Sequence, residues 1–88
     1  SNSIAQTGNN FDIRVYPNPT TSEFNIQILS TGKEMISARV FDLQGRTINN
    51  LMLNPYQIKS IGNNLCPGVY MIEVTQGKTV NTIKAVKY

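Results

Sequence analysis

Leu65-Cys66-Pro67-Gly68-Val69-Tyr70-Met71-Ile72-Glu73-Val74-Thr75-Gln76-Gly77, continuing as Lys78-Thr79-Val80-Asn81-Thr82-Ile83-Lys84-Ala85-Val86-Lys87-Tyr88, is the stretch from which the fold is read. Pro67-Gly68 is a turn dipeptide, because proline fixes φ and glycine tolerates positive φ. Beyond it the chain alternates. Tyr70, Ile72 and Val74 share a bulky, β-prone face, while Val69, Met71 and Glu73 share a mixed one. Gln76-Gly77 then reverses the chain, with glycine where positive φ is needed. The arm that follows carries Lys78, Lys84 and Lys87 and no acid, a composition that protects edge strands from pairing with other chains. The expectation is a β-hairpin with one arm in the core and one basic arm near an edge.

Upstream the same period of two recurs. Phe11, Ile13 and Val15 alternate with Asp12, Arg14 and Tyr16, until two prolines in Pro17-Asn18-Pro19 remove ladder donors and impose a turn. Phe24, Ile26 and Ile28 form a second alternating run, and Ile36, Ala38 and Val40 a third. Between the third and fourth runs, Asp42-Leu43-Gln44-Gly45-Arg46 reads as a tight reversal with Gly45 at the strained position. The fourth run, 47–53, loses its phase around Asn49-Asn50; Asn54-Pro55 breaks it, and 56–61 reads as a short fifth strand. With the terminal hairpin this makes seven short strands, polar turns and no helical period. The pattern predicts an all-β, antiparallel sandwich or barrel, and one apolar face per strand suits two packed sheets.

The 88 residues are 40% hydrophobic and 15% charged, which fits one small globular domain. Residues 1–10 are polar and do not open on Met; they read as a flexible linker ahead of a domain at 11–88, the whole being a piece of a longer protein. No apolar run reaches the length of a spanning helix. The net charge of +3 is carried beyond residue 50, where Lys59, Lys78, Lys84 and Lys87 face Glu73 alone. That is too weak for a nucleic-acid surface. Cys66 is the single cysteine, so no internal disulfide forms, and it reads as a small half-buried core residue, not a reactive thiol.

Enzymatic chemistry is not expected. The chain has no His, which removes the commonest general base and metal ligand. One Cys without His makes no usual zinc site, and single, scattered carboxylates make no calcium loop. Gly77-Lys78-Thr79 resembles the tail of a phosphate loop, but Ile72 stands where the first glycine is required. No cofactor or metal is therefore expected.

Four blocks together resemble a known family: Val15-Tyr16-Pro17-Asn18-Pro19-Thr20, Val40-Phe41-Asp42-Leu43-Gln44-Gly45-Arg46, Leu65-Cys66-Pro67-Gly68-Val69-Tyr70, and the lysine-containing last strand. In this order they look like the C-terminal sorting domain, type A, of the type IX (Por) secretion system. The resemblance implies an immunoglobulin-like, seven-stranded sandwich at the end of a secreted Bacteroidetes protein. Its partners would be an N-terminal cargo in the same chain, an outer-membrane translocon and a sortase-like peptidase that removes the domain. Transit would run through the periplasm to the cell surface or the medium. The resemblance carries Pro17, Asn18, Pro19, Gly45, Arg46, Gly68 and Tyr70 over as motif residues.

Each block also has a structural reading. Pro17-Asn18-Pro19 sets a turn, Gly68 and Tyr70 serve the fold, and lysines at an edge deter aggregation. Lys84, Val86 and Lys87 are the candidates for recognition by secretion machinery. Neither lysine has an evident packing role in the sequence, and three residues apart they should point to opposite faces. The alternatives are a fibronectin-like structural or adhesion module and a carbohydrate-binding module.

Overall fold

The computed structural model describes residues 11–88 and the backbone path of residues 3–6. In chain order the strands are β1 (Ser3–Gln6), β2 (Phe11–Tyr16), β3 (Phe24–Ser30), β4 (Ile36–Asp42), β5 (Thr47–Leu53), β6 (Ile58–Ile61), β7 (Gly68–Gln76) and β8 (Thr79–Lys87). Two four-stranded sheets form, ordered β1-β2-β3-β6 and β5-β4-β7-β8. All ladders within them are antiparallel. The chain changes sheet between β3 and β4, between β5 and β6, and between β6 and β7. This is the crossing pattern of immunoglobulin-like sandwiches.

The inward faces are the apolar sets read from the sequence. Phe11, Ile13 and Val15 of β2 and Phe24, Ile26 and Ile28 of β3 face Ile36, Ala38 and Val40 of β4 and Tyr70, Ile72 and Val74 of β7, all buried. Burying one such aliphatic or aromatic side chain contributes about 1.5–3 kcal/mol. The two ends of the sandwich are closed by polar residues. At one end Gln76 accepts from Ser30 Oγ (2.5 Å) and donates to Glu34 O (2.9 Å). Lys87 closes the other end, as described below.

Besides Lys87, the structure departs from the sequence reading in four places. Residues 3–6, expected in a flexible linker, form β1 and pair with β2 from Ser3↔Val15 to Gln6↔Asp12; the rest of segment 1–10 lies outside the described residues. The blurred phase of β5 is a β-bulge: Val40 pairs with Asn49 and Phe41 with Thr47, leaving Ile48 as the extra residue. The fifth expected strand begins at Ile58, because Tyr56 sits at φ 67° in a turn closed by Gln57 N donating to Asn54 O. Cys66 is exposed, not half-buried in the core.

Tyr70 explains the order of the 62–70 segment. Its ring is buried, and its hydroxyl donates to Cys66 O at 2.6 Å, four residues back. A tyrosine tying the entry of a strand to upstream backbone is a recurring corner of this architecture. Gly62, at φ +86°, makes the bend before it; a Cβ there would lie 3.1 Å from Phe24 Cδ2. Replacing Tyr70 by Phe removes only the hydroxyl bond and should cost about 1 kcal/mol. Tyr70→Ala also empties the ring's site and should cost about 3–5 kcal/mol. Chemical denaturation of the two variants measures both, and equal losses would mean that the ring packing contributes nothing.

Candidate functional site

In an edge strand every second residue turns its N–H and C=O away from the sheet. β8 is such a strand, and near its end the outward groups are taken up by the β2–β3 connection. Asn18 Nδ2 donates to Lys84 O (2.8 Å), and Val86 N donates to Asn18 Oδ1 (3.0 Å). Thr20 N donates to Val86 O (3.0 Å), and Tyr88 N donates to Thr20 O (2.8 Å). Thr20 and Lys87 thereby form a parallel bridge. The Pro17-Asn18-Pro19-Thr20 segment thus lies along the end of β8 like a short added strand.

The residue types suit the task. A side-chain amide offers one acceptor and a donor group, so Asn18 serves an outward C=O and an outward N–H of the same strand. Pro17 and Pro19, each preceded by a cis bond, have no N–H that would need a partner. Thr20 is buried; its hydroxyl donates to Glu23 O (2.8 Å) and accepts from Ser22 N (3.2 Å), which shapes the turn into β3.

The two terminal lysines part company. Lys87 is buried in phase with Ile83 and Ala85, and its Nζ donates to Gly62 O (2.7 Å) and Asn63 O (3.1 Å). It ties the terminal strand to the β6–β7 connection, so it has a packing role that the sequence reading denied it. At the end of a sandwich the long stem lies among apolar groups while the ammonium reaches loop carbonyls. Lys84 is exposed on the opposite, outer face. There it pairs with Met71, and Val86 pairs with Val69. Met71 in turn pairs with Phe41. The result is a half-buried apolar strip of Phe41, Met71, Val69 and Val86 with Lys84 at its margin. Arg39 stacks 4.2 Å over the Phe41 ring, lies 3.4 Å from Glu73 and donates to Thr47 Oγ1 at 3.0 Å.

Beside this strip stands the β4–β5 turn. Asp42 Oδ1 accepts from Gln44 N (2.9 Å) and Arg46 N (3.0 Å), and Oδ2 accepts from Arg46 Nε (2.8 Å). Gly45, at φ +88°, allows the chain to close back on the carboxylate. Burial pushes the Asp42 carboxyl up, but the Arg46 amide and guanidinium and the Gln44 amide outweigh it and hold the pKa below its ordinary value. A cleft of about 420 Å³ lies between this turn and the 64–70 segment, bordered by Leu43, Arg46, Cys66, Val69 and Tyr70.

The structure brings the sequence-predicted residues together at one end of the sandwich. Asp42 pairs with Tyr70, Gly68 pairs with Lys87, and Lys87 bridges to Thr20. Sequence reasoning missed the bond between Asn18 and β8, for which no local signal exists. It also missed the burial of Lys87, although strict alternation from Ile83 through Ala85 points to it.

The family described as "Secretion system C-terminal sorting domain" matches residues 14–88. The search of curated proteins finds no match.

Two outcomes follow from this geometry. Lys84→Ala should leave the melting midpoint nearly unchanged, within about 0.5 kcal/mol. Asn18→Ala and Lys87→Ala should each lose about 1–3 kcal/mol, because each leaves backbone groups without their partner. Equal melts for Lys84→Ala and Lys87→Ala would contradict the assignment.

The second concerns acid. A carboxyl whose folded pKa is depressed contributes stability that is present above its unfolded value, 3.8, and is lost as pH falls through the folded one. The melting midpoint should therefore fall as pH drops below about 4, and Asp42→Asn should flatten that part of the profile.

Proposed function

The chain belongs to the secretion-system C-terminal sorting domain family, and from that membership we propose how the signal is presented and read. As a member, it is the C-terminal sorting signal of type IX secretion, which sends an attached N-terminal cargo across the outer membrane to the cell surface or the medium. The domain is read folded, in transit through the periplasm, and it works by binding and not by catalysis. The receptor contacts the outer face of β7 and β8 around Lys84 and Val86. Lys87 and the Pro17-Asn18-Pro19-Thr20 segment hold that face in place without being touched themselves. A sortase-like peptidase of the same machinery then cuts upstream of β1, which is itself paired with β2.

The observation that carries this reading is the closed edge at the end of β8. With Lys84 O, both outward groups of Val86 and Tyr88 N already bonded to Asn18 and Thr20, a partner at this end has the side-chain face to read and little of the strand edge. That face offers an apolar strip with one exposed cation, suited to a partner with an apolar patch and an acidic rim. Neither the spacer nor the carbohydrate-binding reading draws support from the family match.

A reporter fused ahead of the domain in a type IX-competent strain tests the proposal. Lys84→Glu and Val86→Thr should each cut surface delivery severalfold while the isolated domain melts as before. Lys78→Glu, at the far hairpin, should have no effect, and the mature reporter should end upstream of β1 by mass spectrometry. Full delivery of both β8 variants would remove this face from the signal, whereas delivery without the domain would remove the sorting role itself.

A further inference from the structure

The two sheets have four edges, and three of them are short, charged or covered. β1 and β6 are four residues long, and β6 contains Lys59. β8 is closed at its end by Asn18 and Thr20 and carries Lys84. β5 differs. Its seven residues, Thr47–Leu53, include no charge and no proline, and Met52 is 51% exposed. Edge strands normally guard themselves with charge, proline or bulges; here the one such device, the bulge at Ile48, lies near the start of the strand.

The ladder fixes which groups of β5 are free. The bonds from Asn18 and Thr20 show that even-numbered residues of β8 face outward, so odd ones bond to β7. Carried through the registers, odd residues of β7 bond to odd residues of β4, and Ile36, Ala38 and Val40 bond to Leu53, Leu51 and Asn49. Asn50 and Met52 therefore turn their N–H and C=O groups to the open edge, and both side chains lie on the outer face. Among the described residues nothing pairs with them.

We infer that β5 is a self-association edge, through which a second copy of this chain extends the β5-β4-β7-β8 sheet across a two-fold axis at Leu51. Antiparallel pairing about that axis sets Asn50 of each copy against Met52 of the other, with both residues exchanging N–H···O bonds and both side chains on one face. A two-fold places a strand against itself, which like charges oppose and this neutral strand permits. The exposed Met52 of each copy is covered in the same step. β1, the first described strand, lies against β8, at the opposite edge of that sheet from β5. The inference is independent of the sorting role.

Sedimentation equilibrium of the 88-residue chain over a concentration series, with amide exchange read at its two ends, tests this. The mass should rise from monomer toward dimer, and the amides of Asn50 and Met52 should slow with concentration while that of Leu51 stays protected throughout. Met52→Lys should weaken association by about tenfold or more, by setting like charges across the axis, and Val80→Lys on β8 should not. A monomer at every concentration, a dimer insensitive to Met52→Lys, or one lost with Val80→Lys would overturn the inference.

Discussion

Everything at the business end of this molecule depends on two polar residues, Asn18 and Thr20, being bonded to the last strand. Terminal residues fray unless something ties them down. Here the tie comes from a loop 66 to 68 residues away in sequence. Each of its four bonds is worth only about 0.5–1.5 kcal/mol net, but they act on consecutive outward groups of a single strand end. Lys87 adds a second tie from the inward side, to Gly62 and Asn63. The end of β8 is thus held from its edge and from beneath, while its outer face carries exposed Lys84 and half-buried Val86. A surface held this way exists only in the folded chain, because no unfolded segment brings Asn18 to Val86.

The same constraint accounts for the scatter of the family's blocks along the sequence. Asp42, Gly68, Tyr70, Lys87 and Thr20 form a chain of strand pairs and bridges, so blocks far apart in sequence converge at one end of the sandwich. The polar residues buried at both ends also fix the register. A slip of one residue would move the odd face of β8 outward. The Lys87 ammonium would lose its carbonyls, and Gln76 likewise sits where only one register lets it reach Ser30 and Glu34.

Most of the fold was legible because it follows from side-chain alternation. Phe24, Ile26 and Ile28, or Tyr70, Ile72 and Val74, announce their faces without help from tertiary context. The failures have specific causes. Ser3–Gln6 carries no strong pattern, and its strand exists because β2 offers an edge. Tyr56 takes a positive φ that a bulky residue rarely adopts, so no propensity argument would stop the strand there. Lys87 stands in the core phase of β8, and its charge overrode that signal in the sequence reading; the end of a sandwich is one of the few places where a lysine can be buried and still bonded. Of the site, the sequence supplied the residues and the resemblance supplied their grouping. It did not supply the clasp, since a turn motif and a strand 66 residues apart share no local signal.

Amide hydrogen exchange along β8 separates a clasped strand end from a bare one. Val80, Thr82, Val86 and Tyr88 share one phase on the strand, so in a bare edge strand all four would exchange quickly. If Asn18 and Thr20 hold the strand end, Val86 and Tyr88 will exchange far more slowly than Val80 and Thr82, although they lie nearer the chain's end. Fast exchange at Val86 and Tyr88, matching that at Val80 and Thr82, would mean that Asn18 and Thr20 do not hold the strand end in solution.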